Sequence, residues 1–313
     1  PLTHVFERAW SYYCLHKGTI VCLNLRPAEI ASTIKEVRPT LMCSVPRFWE
    51  KVYAGVNEKI TSESGFKRKL MLDAIRVGKI HNVDYLRVGK RPPLGNHLKY
   101  LFYEKTVYAL LKKTIGLENG KFFPVAGAAV PDEICEFCHA VGINMKVGYG
   151  LTESCATVSC FPDDSFELGS VGKIMPDVQV KIGENNEILL RGKTITTGYY
   201  KKAEETAKAI DAEGWFHTGD AGYIKDNYLY LTERIKDLFK TSNGKYISPQ
   251  ALETKLGIDR YIDQIAIIAD QRKFVSALII PAYEVLEAYA KEQGIAYENM
   301  EQLLANEKIQ TLY

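Results

Sequence analysis

Between residues 121 and 150 the chain reads strand, helix, strand, and no other stretch limits its fold as strongly. "KFFPVAGAAV" is an apolar run that ends in small turn-forming residues. "PDEICEFCHAVG" opens on Pro131, carries acids in its first turn and passes Gly142 at its end, which is the pattern of a helix. "INMKVGYG" then supplies the second strand. A strand returned to a strand through a helix favours a parallel sheet with crossover helices.

The flanking segments have different textures. "SVPRFWEKVYAGVNEKI" has Pro46 near a helix start and apolar residues at Phe48, Trp49, Val52 and Val56, the spacing of an amphipathic helix. More helix is predicted through "HLKYLFYEKTVYALLKKTIG", after a break at "RPPLGN". "GSVGKIMPDVQVKIGENNEILLRG" alternates over short spans around a Gly-Glu-Asn-Asn turn and predicts a small β region. Beyond it, "TSNGKYISPQALETKLG" predicts a turn and a helix capped by Ser248, "IDQIAIIADQRKFVSALIIPA" a strand pair, and "YEVLEAYAKEQG" a helix. The expected class is therefore α/β: a parallel-sheet subdomain with helices, a small β region, and a small α+β domain joined near residue 236.

At 313 residues, with 46% hydrophobic and 25% charged residues, the chain has the makeup of a soluble protein of about two domains. A formal charge of +2 argues against nucleic-acid binding by the molecule as a whole. The charge is uneven, however: residues 65–121 hold thirteen Lys/Arg against four acids, giving +9 there and −7 elsewhere. A solvated helical face is the first reading of that segment, and loose peripheral contact with the inner face of an anionic membrane is the second. Seven irregularly spaced cysteines indicate reduced thiols and a cytoplasmic protein. No run approaches the roughly 20 apolar residues that cross a bilayer. "PLTHVFERAW" has neither Met nor a signal pattern at its start and reads as a chain entered midway.

Chemistry concentrates in three blocks. In "VGYGLTES" Tyr149 stands between Gly148 and Gly150, directly after a strand, where parallel sheets bind ligands. Flanking glycines let a flat ligand approach while the ring offers a stacking face. Thr152 suits a phosphate oxygen, and Glu153 is a hard oxygen ligand for Mg²⁺. A tight turn with Tyr149 half buried explains the same residues equally well. In "GWFHTGD" Asp220 could accept two hydrogen bonds from a ribose diol or serve as a plain turn residue. In "TERIKDLFKTSNGKYISP" the cations Arg234, Lys236 and Lys240 are either a solvated face or an anion site. Two other nucleotide signatures are excluded: 148–153 lacks the third glycine of a dinucleotide fingerprint, and "GSVGK" is too short for a P-loop. "CEFCH" matches a c-type haem attachment pattern, but it lies within a predicted helix of a chain with no export signal and is read as helix.

Taken in order, these blocks resemble the adenylate-forming superfamily of acyl-CoA synthetases, luciferase and peptide-synthetase adenylation domains. "VAGAAVP" resembles its adenine loop, "GYGLTES" its stacking-tyrosine and magnesium motif, "WFHTGD" its ribose motif, and "RIKDLFKTSNGKYISP" its hinge. "PLTHVFER" and "SVPRFWEKV" resemble its long-chain fatty acyl-CoA synthetase branch.

The resemblance implies that Gly127 and Ala128 hold the adenine edge, Tyr149 and Gly150 form the stacking platform, Thr152 touches the α-phosphate and Glu153 holds Mg²⁺. It implies further that Asp220 binds the ribose beside Arg234, that Lys236 is the hinge, and that Gly244 faces the pantetheine channel. His4 and Trp49 are candidates for the acyl side, Trp49 equally for the core. Domains of 1–235 and 236–313 follow. The implied activity is a fatty acid–CoA ligase using ATP, Mg²⁺ and CoA. The alternatives are an adenylating enzyme that loads a carrier protein and a non-catalytic nucleotide-binding scaffold.

Departures from the family pattern are Ala126 and Ala129 in the adenine loop. The Gly-rich phosphate loop expected before His4 and the catalytic lysine expected after Tyr313 are not in the sequence. The expectation is a partial chain that does not complete adenylation alone.

Overall fold

The computed structural model describes residues 3–235, 238–240 and 246–313. Contacts divide the chain into two units, residues 1–236 and 237–313.

The first unit opens with α1 (Val5–His16) and α2 (Ile30–Val37), neither anticipated from the sequence. Next come α3 (Pro46–Ser62), which starts at its proline as expected, α4 (Gly65–Gly78), α5 (Leu94–Tyr103) and α6 (Ala109–Ile115). Two segments wind more loosely, as π-helix, at Lys79–Tyr85 and Glu104–Tyr108. His81 lies in the first of these, stacked on Tyr100 with ring centroids 3.8 Å apart. The expected strand–helix–strand run is present as β1 (Phe123–Val125), α7 (Asp132–Ala140) and β2 (Met145–Tyr149). β1 and β2 pair in parallel, Phe123 opposite Met145.

From β2 the sheet continues without interruption. β3 (Ser159–Cys160), β4 (Lys173–Ile174), β5 (Val178–Ile182), β6 (Glu187–Gly192), β7 (Phe216–Lys225) and β8 (Tyr228–Arg234) extend it, interrupted in sequence by α8 (Ala203–Ala209). Among the described residues it has eight strands in the order β1-β2-β3-β4-β8-β7-β6-β5. All pairings after β1–β2 are antiparallel. The expected small β region is thus the larger part of one mixed sheet. Its joint to the parallel part is narrow, because β3 and β4 have two residues each and β4 meets β8 through Lys173 and Tyr228. The Gly-Glu-Asn-Asn turn closes as expected: Asn185 and Asn186 take φ of 53° and 59°, and the Gly183 amide donates to the Glu187 carbonyl at 2.7 Å.

Two hydrophobic clusters hold this unit. One gathers α2–α7, β1 and most of β2, with Trp49 wholly buried, its indole N–H donating to Ser44 Oγ at 2.8 Å and its ring edge-on to Phe123. The other gathers Val158, Val178, Ile188, Leu190, Phe216 and Leu229 with Tyr149, the last residue of β2. Each fully buried aliphatic side chain of this kind stabilises by about 1.5–3 kcal/mol.

"CEFCH" is helix, as read, and Cys135 and Cys138 are buried in it; burial raises both thiols, that of Cys135 to about 12. His139 stacks on Phe166 at 3.7 Å.

The second unit pairs β9 (Phe239–Lys240) with β10 (Tyr246–Ile247), follows with α9 (Pro249–Leu256), and pairs β11 (Ile262–Ile268) with β12 (Ser276–Pro281). Then α10 (Tyr283–Glu292), α11 (Met300–Leu304) and α12 (Glu307–Leu312) close over Leu286, Ala290, Leu303 and Ile309. Ser248 stands at the start of α9 as expected, but its side chain makes no capping bond.

Candidate functional site

Tyr149 at the end of β2 and Asp220 on β7, 71 residues apart, meet through their side chains although β3, β4 and β8 lie between the two strands in the sheet. The Tyr149 hydroxyl donates to Asp220 Oδ2 at 2.6 Å. Across the β7–β8 ladder Asp220 is paired with Arg234, whose Nε lies 3.4 Å from Oδ1. Burial first, and then the charge of Asp220, push the Tyr149 phenol far above its ordinary pKa, so it stays a neutral donor. The Asp220 side chain is 13% exposed. The Tyr149 ring belongs to the second hydrophobic cluster and the residue is 8% exposed, so it presents little surface.

A Cβ at Gly150 would lie 1.3 Å from the carbonyl oxygen of Ala156, so on that side the position is filled by the chain's own returning backbone. That return runs through Thr152–Ser154, a single 3₁₀ turn, and then through Cys155 and Ala156 at φ of 52° and 91°. Positive φ is unfavourable for residues with a Cβ, and such strain clusters at functional loops. Ser154 fastens the loop from inside, its Oγ accepting from the Leu151 amide at 2.9 Å.

Thr152 is exposed on this loop. Glu153 is fastened to residues 196–199: its carbonyl accepts from the Thr196 amide at 2.7 Å, and its carboxylate from the Tyr199 hydroxyl at 2.9 Å. No group of three or more His, Cys, Asp or Glu that could hold a metal occurs among the described residues. A single carboxylate nevertheless suits Mg²⁺, which is commonly held by one or two protein carboxylates together with substrate phosphates.

Gly127 and Ala128 are exposed in the turn after β1, Gly127 at φ +95° with no atom nearer than 4.0 Å to an added Cβ. The glycine there answers to backbone conformation and not to crowding. The remaining candidates are held elsewhere. His4 caps α1, its Nδ1 accepting from the Phe6 amide at 3.4 Å. Trp49 is a core residue. Lys236 and Gly244 lie outside the described residues.

Three contributors were not singled out from sequence. Thr218 Oγ1 donates to the Ile188 carbonyl at 2.7 Å and accepts from the Asp220 amide at 3.0 Å. Tyr199 holds Glu153. The Glu187 carboxylate accepts from the Gly219 amide at 2.8 Å and lies 2.9 Å from Nδ1 of His217. The signal for Thr218 was its place in "HTGD"; Glu187 and Tyr199 act across more than thirty residues and left no local sign. A cleft of about 410 Å³ is lined by Lys181, Gly183, Glu187, His217, Gly219 and Ile235 among others, but by neither Tyr149 nor Asp220.

Residues 65–121 are largely helical, and no helix of the described residues is long and apolar enough to cross a membrane.

Comparison with known proteins bears on the family and the fold. Residues 1–200 match the AMP-binding enzyme family. The chain is 29% identical over 326 residues to long chain acyl-CoA synthetase 4 of Arabidopsis thaliana, covering 98% of this chain and 47% of that protein. It is 30% identical over 297 residues to the long-chain-fatty-acid–CoA ligase FadD15 of Mycobacterium bovis, covering 94% of this chain and 48% of that one. The chain thus spans about half the length of the curated relatives it matches. The fold is shared with the A-PCP didomain of a carboxylic acid reductase from Segniliparus rugosus in complex with AMP, at a TM-score of 0.66 and 20% identity over 95% of this chain and 41% of that one. It is shared too with o-succinylbenzoate coenzyme A synthetase from Bacillus subtilis in complex with ATP and magnesium, at a TM-score of 0.60 and 18% identity over 97% and 55%. With its fold and its ordered motifs in place, this chain belongs to the AMP-binding enzyme family.

Proposed function

We propose that this chain is the nucleotide-binding part of a long-chain fatty acid–CoA ligase. In that reaction a fatty carboxylate attacks the α-phosphorus of ATP, pyrophosphate leaves, and the CoA thiol then attacks the acyl carbonyl and displaces AMP. The observation that carries the reading is the Tyr149–Asp220–Arg234 constellation: one carboxylate held by a neutral phenol and a guanidinium, at the end of a strand. The names of the curated relatives support the fatty acid and CoA as substrates.

In this reading Asp220 accepts the two ribose hydroxyls while Arg234 keeps it ionised and oriented. Tyr149 supports the adenine, whose edge meets the backbone at Gly127 and Ala128. Thr152 donates to the α-phosphate, and Glu153, released from Tyr199, would hold Mg²⁺. When bound, Mg²⁺ would neutralise phosphate charge. Around the reacting atoms the protein's tasks are to orient the nucleotide and keep water from the mixed anhydride. For Lys236 as a hinge and Gly244 beside the pantetheine path, the support is their motif alone.

The test is calorimetric titration with AMP. Wild type is expected to bind, and Asp220→Ala to bind at least about tenfold more weakly, as loss of charge-assisted bonds implies. An unchanged Kd overturns the ribose assignment. For the complete protein, formation of a thioester from a long-chain fatty acid, ATP and free CoA is the expected result. Adenylate formation without that thioester overturns the CoA-ligase reading.

A further inference from the structure

We propose that Glu187 is a positioning residue for Asp220 and, through it, for selection of the ribose hydroxyls; this rests on the reading of Asp220 given above. Along β6 and β7, Glu187 stands opposite Ala221 and Leu189 opposite His217. Two steps on one strand therefore face four on the other, and residues 218–220 bulge from the ladder. Bulges of this kind re-aim a side chain, at the cost of ladder hydrogen bonds. A displaced amide must find another acceptor.

Glu187 supplies that acceptor. One carboxylate oxygen takes the Gly219 N–H at 2.8 Å, and the other lies 2.9 Å from His217 Nδ1. Gly219 sits at φ +73°, a conformation that suits glycine and sets the direction of the next Cα–Cβ bond, that of Asp220. From the same side Thr218 ties the bulge to the Ile188 carbonyl and receives the Asp220 amide. The backbone beneath Asp220 is thus defined from β6, while its carboxylate is held by Tyr149 and Arg234. The Glu187 side chain is 19% exposed, so its two bonds are partly shielded from water. Asp211 also approaches His217, with Oδ2 3.8 Å from Nε2, so the imidazole lies between two carboxylates.

The experiment compares binding of AMP and 2′,3′-dideoxy-AMP to this chain by titration calorimetry, reading the ratio of the two Kd values. Wild type is expected to favour AMP by about tenfold or more. In Glu187→Ala the ratio is expected to fall to within about twofold, with the affinity for the dideoxy ligand nearly unchanged. Glu187→Gln keeps an oxygen for the Gly219 amide and is expected to retain most of the ratio. If Glu187→Ala does not fold, Glu187→Asp, equal in charge but one methylene short, is expected to lose the ratio in its place. A ratio preserved in Glu187→Ala or Glu187→Asp overturns the proposal, as does equal weakening of both ligands, which is what a merely structural role produces. If wild type does not discriminate, the ribose assignment of Asp220 falls, and this proposal with it.

Discussion

Tyr149 combines two roles that a substitution can separate, because its ring packs in a cluster while its hydroxyl serves Asp220. Tyr149→Phe keeps the ring and removes a donor from a buried carboxylate that retains Arg234. The expected cost is about 1–2 kcal/mol in denaturant unfolding, with AMP affinity within about threefold of wild type. Tyr149→Ala removes both, and about tenfold loss of AMP affinity is expected in the same titration. Equal affinities for the two variants would remove the ring from the nucleotide site. At this scale the sequence was informative where residues sit in contiguous motifs: Tyr149, Asp220 and Arg234 were each singled out, and the fold brings them together. It was silent on Glu187 and Tyr199, whose partners lie 32 and 46 residues away. Tertiary hydrogen bonds of that span leave no trace in local pattern.

The loop after β2 turns back closely on itself, and a Cβ at Gly150 would meet the Ala156 carbonyl. Gly150→Ala is therefore expected to force the 151–157 return outward, costing about 3 kcal/mol or more of stability. Hydrogen exchange of the Val158 amide, which donates to the Tyr149 carbonyl at 2.8 Å, is expected to rise with it; unchanged exchange and stability would refute this account of the loop. Longer elements were legible because their period repeats: α3, α7, β5, β6, β11 and β12 all lie where the pattern predicts. β3 and β4, with two residues each, are too short to show a period, which is why the β region looked separate from the parallel strands. The π-wound segments were not legible either. They arise where His81 and Tyr108 are drawn inward, Tyr108 donating to the Ala74 carbonyl at 2.6 Å.

For the molecule as a whole, acid sensitivity follows from its buried histidines. Burial, assisted by the charge of Lys146, lowers His139 from 6.5 to about 3, and burial lowers His81 in the same direction. The folded state therefore resists a proton that the unfolded chain accepts. The stability these groups allow is intact above about pH 6.5 and is lost as pH falls towards about 3. Between pH 6.5 and 5 the unfolding free energy of wild type is expected to fall more steeply than that of His139→Leu, by up to about 1.4 kcal/mol per pH unit. Parallel slopes would show that His139 titrates alike in both states. The chain divides into two units, residues 1–236 and 237–313, the first held by two hydrophobic clusters and the second by one.

β2 leaves one hydrophobic cluster and ends in the other, so Tyr149 packs with the strands that carry Asp220, while the sheet between β2 and β8 is only the two-residue strands β3 and β4. The Tyr149–Asp220 hydrogen bond therefore spans a thin stretch of sheet by side chains alone. Ser159, buried in that stretch with its Oγ donating to the Val171 carbonyl at 2.8 Å, fastens it from within and so helps set where Tyr149 meets Asp220.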